Sequence, residues 1–401
     1  MLDFSIIDNK IIQNILQEAP VELVFVVTGY LLHFFYFNIK SYINKKKLKK
    51  ELEKLKNKKR KIKVIDIANG DPDFAKENIF VRTVDLFGET KSLYIDFDYE
   101  CKKKLNEIEK KKEFREFQKS KFHEDMSFDG TNSFDELVEI TKIKDLPDLI
   151  EKHRKIVSEK FLSHKEGMLF NSRKYGIFDM NFTRFGDDEK PGVEIYLFET
   201  DYFTHRVFRS IYHELKQKKH EISHVTHNNF LQYKPFLTSL GINTLLITHG
   251  SQGKEIVLSK RSTKVHTKKP LYHITMNEGL SITDKDPFGK IDLELCFKRG
   301  LLEELGITEQ LYRYSVKGAF YDFFLEFNNF EIGITSVLEM QLNFEKDILP
   351  LIGRDKTLET ENFITLKMKT KEIKSFLDKN EFVPHGIYVL ERVLLRENIK
   401  L

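Results

Sequence analysis

The sequence predicts an α/β chain: an α/β/α sandwich with a mixed sheet at the C-terminus, an α+β middle region before it, and one N-terminal transmembrane helix. Three observations carry this. From residue 242 onward, apolar runs of strand length alternate with helical patterns. Near the N-terminus a run of about twenty residues, enough to span a bilayer core, carries almost no charge. A dense block of lysine follows that run directly.

The 401 residues leave room for two or three domains, and a 40% hydrophobic content suffices for ordinary cores. The two cysteines, Cys101 and Cys296, lie far apart and in no metal-ligand spacing, which argues against a disulfide scaffold and fits a reducing compartment. Between Lys40 and Lys63 stand thirteen Lys or Arg against only Glu51 and Glu53. The formal total of +4 therefore conceals one strongly basic block and a net-negative remainder.

Residues 1–18 form an N-terminal segment, and residues 19–39 read as the transmembrane helix. Its centre, Leu23 to Phe37, has no formally charged side chain. At 1.5 Å per residue the stretch matches the roughly 30 Å of a bilayer core. A signal peptide would place its positive charge before the apolar run, whereas here the charge follows it. Basic flanks stay on the cytoplasmic side, so a single-pass membrane protein with its C-terminal domains in the cytoplasm is expected. Residues 40–63 read as a basic juxtamembrane helix whose lysines meet anionic headgroups. Membrane lipid, through residues 19–63, is thus an expected partner, and specific nucleic-acid binding is not.

Residues 64–165 read as an α+β and helical linker region, with β-like runs IKVIDIA and SLYIDFD. Residues 166–240 read as an α+β subdomain that packs on the C-terminal domain. Two strands there are separated by turn residues at Gly186-Asp187-Asp188 and Pro191-Gly192, and Thr200 is the expected N-cap of the next helix. His220, His224 and His227 have a spacing that places all three on one helix face and can hold zinc. No Cys or carboxylate completes that set, so surface histidines are the favoured reading.

Residues 241–401 carry strands at INTLLIT, within GSQGKEIVLSKRS and at LYHITMNEGL, then a helix from about Lys290 to Leu305 ended by Gly306. Strands near 312–319 and 331–342 and helices near 370–378 and 384–396 complete the domain. Within the first helix, Glu303 and Glu304 are adjacent, while Leu301, Leu302 and Leu305 are available for packing. Adjacent carboxylates repel, and a hard cation relieves the repulsion. Such a cation can neutralise a pyrophosphate and activate water. An ordinary helix end also reads EELG, so that pair alone is a weak signal.

The full string Arg299-Gly300-Leu301-Leu302-Glu303-Glu304-Leu305-Gly306-Ile307 resembles the core of the Nudix box, Arg-Glu-U-x-Glu-Glu-x-Gly-U with U apolar. Eight of the nine positions agree. The resemblance extends over roughly residues 240 to 400. It implies a hydrolase that cleaves a nucleoside-diphosphate-linked substrate with Mg²⁺ or Mn²⁺ held by Glu303, Glu304 and Glu278. Arg299 would orient the acidic cluster, and Arg261 and Lys264 would hold phosphate of a nucleotide-type small molecule. A further acid would come from Glu331 or Glu339.

The sequence departs from the family at two places. Gly300 stands where family enzymes have Glu, and Gly279 lies farther upstream of Arg299 than the usual box allows. Asp284 and Asp286 fall in the apparent insertion, Asp292 is too far along the helix to substitute, and Glu278 is the best-placed replacement. Two functions therefore stay open: the hydrolase, and a sensor that binds a nucleotide-type ligand without turnover and signals to the membrane helix or a partner. An oligomer is compatible with both. Walker and dinucleotide phosphate loops are absent from the sequence.

Overall fold

The structure is a computed structural model that describes residues 21–57, 64–66, 74, 77, 79–84, 93–101, 103–104, 134–163, 171–187, 189–261, 271–356 and 360–401. It divides into two compact units, Met1–Leu55 and Lys56–Leu401. Helix α1 (Val21–Asn57) runs unbroken through the apolar stretch and the lysine block. Between Val26 and Ile43 its large apolar side chains are open to solvent, with Val26 68% and Leu32 65% exposed.

The expected transmembrane span over 19–39 is not upheld. Residues 19 and 20 lie outside the described residues, and among those described no helix is long and apolar enough to cross a membrane. The helix carries Glu22 near its start, and its apolar run is interrupted by Tyr30, His33, Tyr36 and Asn38 before it meets Lys40.

In the second unit the elements follow in order: β1 (Val64–Asp66), β2 (Ile79–Thr83), α2 (Phe134–Thr141), α3 (Leu146–Ser163), β3 (Arg173–Phe185), β4 (Lys190–Asp201) and α4 (Tyr202–Gln217). Then come β5 (Leu240–Gly250), β6 (Gly253–Arg261), β7 (Tyr272–Ile274), β8 (Met276–Gly279), α5 (Leu293–Gly300), α6 (Glu309–Tyr312), β9 (Ser315–Glu326), β10 (Glu331–Met340), β11 (Thr360–Lys367), α7 (Thr370–Lys379) and α8 (Pro384–Arg396). Among the described residues an eight-stranded mixed sheet has the order β1-β9-β10-β5-β6-β11, with β7 paired to β6 and β8 to β5. The β5–β10 pair is parallel and the other pairs are antiparallel. A second sheet has the order β2-β4-β3.

Side chains alternate across a strand, so the large sheet has two distinct faces. Leu245, Ile247, Ile256, Leu258 and Val337 pack with Tyr388, Val389, Val393 and Leu394 of α8 on one face. Ile242, Leu246 and Val257 belong to the larger core that includes Phe297 and Leu301 from the α5 region and Val207, Phe208 and Ile211 from α4. Helices thus cover both faces.

The run LYHITMNEGL, expected as one strand, is two. Thr275 marks the break: its hydroxyl accepts from the Leu246 N–H at 2.8 Å and donates to the Val257 carbonyl at 2.5 Å. A side chain there stands in for a ladder bond, and β7 and β8 go on to different partners. The cap of α4 is Asp201 rather than Thr200, its carboxylate accepting from the Thr204 N–H at 2.7 Å. Thr200 is the penultimate residue of β4, and its hydroxyl is buried without a partner. The three spaced histidines do not share a helix face. His220 caps a short 3₁₀ turn, Glu221–His224, and Val225 already returns to extended backbone.

Candidate functional site

The box string forms a bipartite helix. Asp292 caps α5 by accepting from the Glu294 N–H at 2.7 Å, so the regular helix starts at Leu293 rather than near Lys290. After Gly300 the backbone widens into a π-helical turn, Leu301–Leu305, which Gly306 ends in the left-handed region at φ +77°. Leu301 and Leu305 are buried and Leu302 is half exposed.

Arg299 sits at the centre of the acidic residues. Its Nε and Nη2 donate to Asp284 Oδ1 and Oδ2 at 2.8 and 2.9 Å, a bidentate pair with a carboxylate that is only 2% exposed. Nη1 donates to Glu278 Oε1 at 2.8 Å and to Glu303 Oε2 at 3.4 Å, and Nη2 also donates to the Gly279 carbonyl at 2.7 Å. Burial works against the guanidinium charge, but the carboxylates of Asp284 and Glu278 outweigh it and raise its pKa. Arg354 adds a second cation, 2.8 Å from Glu303 Oε2. Neither Asp284 nor Arg354 was marked by sequence reasoning: Asp284 lies in an apparent insertion, and Arg354 comes from a distant loop.

Glu303, Glu304 and Glu278, expected to hold Mg²⁺ or Mn²⁺, each have a protein partner here. The first and third share a guanidinium, and Glu304, 7% exposed, accepts from the Asn277 N–H at 3.1 Å through Oε1. Among the described residues no group of three or more His, Cys, Asp or Glu side chains could hold a metal ion. As arranged, the carboxylates fit a guanidinium and not a divalent cation. Glu331 and Glu339 do not join them. Glu339 is held by Lys254 at 2.7 Å and His249 at 2.9 Å, and Glu331 lies 3.3 Å from His205 and 3.6 Å from Arg209.

Gly300 explains how Glu278 reaches this cluster. A Cβ at Gly300 would lie 2.7 Å from the Glu278 Cβ and 2.9 Å from the Met276 sulfur. The bare backbone lets β8 lie against the helix, and Glu278 passes through the space a side chain at 300 would fill.

A cavity of about 280 Å³ lies beside β8, lined by Lys174, His205, Arg209, Asn243, Arg261 and His385 among others, with Asn277 and Gly279 also in its wall. Strand alternation sets the geometry: Met276 and Glu278 face the box helix, whereas Asn277 and Gly279 face the cavity. The expected ligand residue Arg261 is part of the wall, and Lys264 lies outside the described residues. Burial and the Arg209 charge bring the Lys174 ammonium down to about 8. Burial also pushes His205 and His385 down to about 4, helped by Lys174 at the first and Arg261 at the second. The His385 ring lies 2.9 Å, Nε2 to Nε2, from His273, whose Nδ1 is 3.3 Å from the Ile274 carbonyl. That contact assigns the Nδ1 proton to His273 and makes His385 the donor of the pair. Burial and the neighbouring Glu331 raise Glu326 to about 7. Glu331 itself is held well below the carboxylate range: burial opposes this, but His205 and Arg209 prevail.

Its neighbours among solved structures are Nudix domains. The NUDIX domain of Shewanella oneidensis NrtR, complexed with ADP ribose, is 13% identical over 39% of this chain and 87% of its own, with a TM-score of 0.25. A bifunctional NMN adenylyltransferase/ADP ribose pyrophosphatase from Francisella tularensis is 17% identical over 40% of this chain and 41% of its own, with a TM-score of 0.28. A C. elegans Ap4A hydrolase is 12% identical over 40% of this chain and 98% of its own, with a TM-score of 0.25. No protein-family model and no curated protein matches the chain.

Of the pocket residues, Asn243 had a sequence signal: a polar residue inside the apolar run INTLLIT, where a buried amide needs a reason. Lys174, His205, Arg209 and His385 had none, because they come from three separate elements.

Proposed function

We propose that the chain carries a Nudix-like domain that binds a nucleotide-type ligand and reports its presence without hydrolysing it. The observation that carries this reading is the two-sided use of β8. The cavity takes Asn277 and Gly279, while Glu278, on the opposite side of the strand, is spent on Arg299. A ligand in the cavity therefore meets the strand before it meets that carboxylate. Because Asn277 also donates its N–H to Glu304, and the Gly279 carbonyl accepts from Arg299, occupancy on one side bears on the box on the other.

The second reading is a hydrolase of a nucleoside-diphosphate-linked substrate, and one observation favours it. Glu278, packed over Gly300, supplies a carboxylate where the box lacks one. Offering the chain a panel of nucleoside diphosphate derivatives with Mg²⁺ or Mn²⁺, and following both binding and products, separates the two. Binding with no product is the expected outcome. Metal-dependent product that disappears in Glu304→Gln would replace the sensor with the enzyme.

For localisation we propose a membrane, with the C-terminal portion on the cytoplasmic side. Support comes from the exposed apolar side chains of α1 and the lysines that follow, which suit an acyl layer and anionic headgroups. Flotation with anionic liposomes tests it: the chain should float, and deletion of residues 21–50 should abolish flotation.

A further inference from the structure

Among the described residues the wall of the cavity beside β8 carries more basic than acidic side chains. Lys174, Arg209 and Arg261 bring three cations to its wall, against Glu326 and Glu331. Glu331 is already shared by His205 and Arg209. Among the described residues Lys174 pairs with no carboxylate; its ammonium donates to the Ser239 hydroxyl at 2.9 Å and sits 5.9 Å from the Tyr202 ring centre. A desolvated ammonium without a carboxylate in direct contact among the described residues is costly to keep charged, and an anion is the group that relieves it.

A second, independent feature points into the same space. Asn243 is 3% exposed and lines the cavity, and among the described residues its Oδ1 has no hydrogen-bond partner. The amide cannot simply be turned around, because Nδ2 donates to the Gly241 carbonyl at 3.3 Å. A buried carbonyl oxygen left unpaired costs free energy and awaits an N–H or O–H donor. Gly333 keeps this corner compact: a Cβ there would come within 2.8 Å of Asn243 Nδ2 and 2.3 Å of the Phe324 ring. The Phe324 ring offers an apolar face in the same wall, with His385 roughly parallel to it at 6.3 Å. The volume, near the lower end of the roughly 300–1,000 Å³ typical of ligand pockets, suits a group of mononucleotide size.

Resting on the ligand-binding reading above, we propose that this cavity is a composite phosphoryl-anion site. Lys174 from β3 and Arg209 from α4 close over the anion against Arg261 of the sheet, and Asn243 Oδ1 accepts a hydrogen bond from the same ligand. The elements before residue 218 are then half of the binding site and not merely a support for it.

Calorimetric titration of the full chain with AMP, adenosine and inorganic pyrophosphate tests this, using wild type, Lys174→Met, Lys174→Arg and Asn243→Leu. AMP and pyrophosphate should bind wild type and weaken about tenfold or more in Lys174→Met, the loss expected for a hydrogen-bonded charge. Lys174→Arg should recover part of that loss. Adenosine should be insensitive to Lys174 and weakened by Asn243→Leu. Far-ultraviolet circular dichroism identifies any variant that fails to fold, and affinity is then read from the remaining ones. If AMP and pyrophosphate bind equally well to wild type and Lys174→Met, the anion site is wrong while the ligand-binding reading survives. If wild type binds neither at millimolar concentration, the anion site is equally overturned. Silence of wild type towards the whole nucleoside diphosphate panel would remove the ligand-binding reading itself.

Discussion

Lys174 and Glu326 face one cavity with pKa values brought to about 8 and about 7, and this makes binding there proton-linked. With Lys174 near 8 and Glu326 near 7, raising the pH from 7 to 9 removes a positive charge and completes a negative one. His205 and His385, near 4, stay neutral throughout, while Glu331 keeps its charge. Both changes have the same sign, so AMP affinity should fall by about tenfold across that interval. A titration series at fixed ionic strength checks this; affinity that is flat or rises with pH would contradict the charge inventory. Arg299 makes a different residue-scale prediction. It satisfies Asp284, which is buried, and half-buried Glu278 and Glu303. Arg299→Met should therefore cost about 3 kcal/mol or more in urea unfolding, because the carboxylates are left uncompensated.

At the scale of elements, the contact between β8 and α5 depends on the absence of a side chain at position 300. Gly300→Glu introduces the residue that the Nudix box has at this position but drives a Cβ into Glu278 and Met276. It should destabilise the chain by about 1–3 kcal/mol and confer no hydrolysis, measured by thermal melting and by product chromatography. Gain of metal-dependent turnover in this variant would mean that the departure from the box, and not the two-sided strand, is what limits chemistry. The break at Thr275 belongs to the same scale. It lets one polypeptide run serve two strands, β7 on β6 and β8 on β5, and so places Asn277 and Gly279 beside the cavity.

At the scale of the molecule, the unit Lys56–Leu401 has its own cores on both faces of the sheet. Removal of residues 1–55 should leave its unfolding free energy within about 0.5 kcal/mol of the full chain's, with AMP affinity unchanged. A loss of cooperative unfolding in the shortened chain would show that α1 is part of the folding unit. Residues far upstream of the box are not dispensable in the same way. Leu93 and Ile95, Leu146 and Ile150, and Phe203 and Val207 all belong to the core shared with Ile242 and Leu246. A fragment beginning near residue 160 would expose that surface.

Local patterning made much of this protein legible. Apolar runs of strand length marked β5 and β10, Gly306 marked the end of the box helix, and RGLLEELGI marked where the acids gather. These features arise from period and turn chemistry within a few residues, which a sequence displays directly. What the acids do was not legible. Whether Glu278, Glu303 and Glu304 hold a cation or a guanidinium depends on where Asp284 and Arg354 fold back, and nothing local encodes that. The cavity was hidden for the same reason: Lys174, Arg209, Asn243, Arg261 and His385 become neighbours only when β3, α4 and α8 pack around the sheet. Charge types are written in the chain, but their pairing is decided by long-range packing, because an ion's state depends on which other charges share its low-dielectric surroundings.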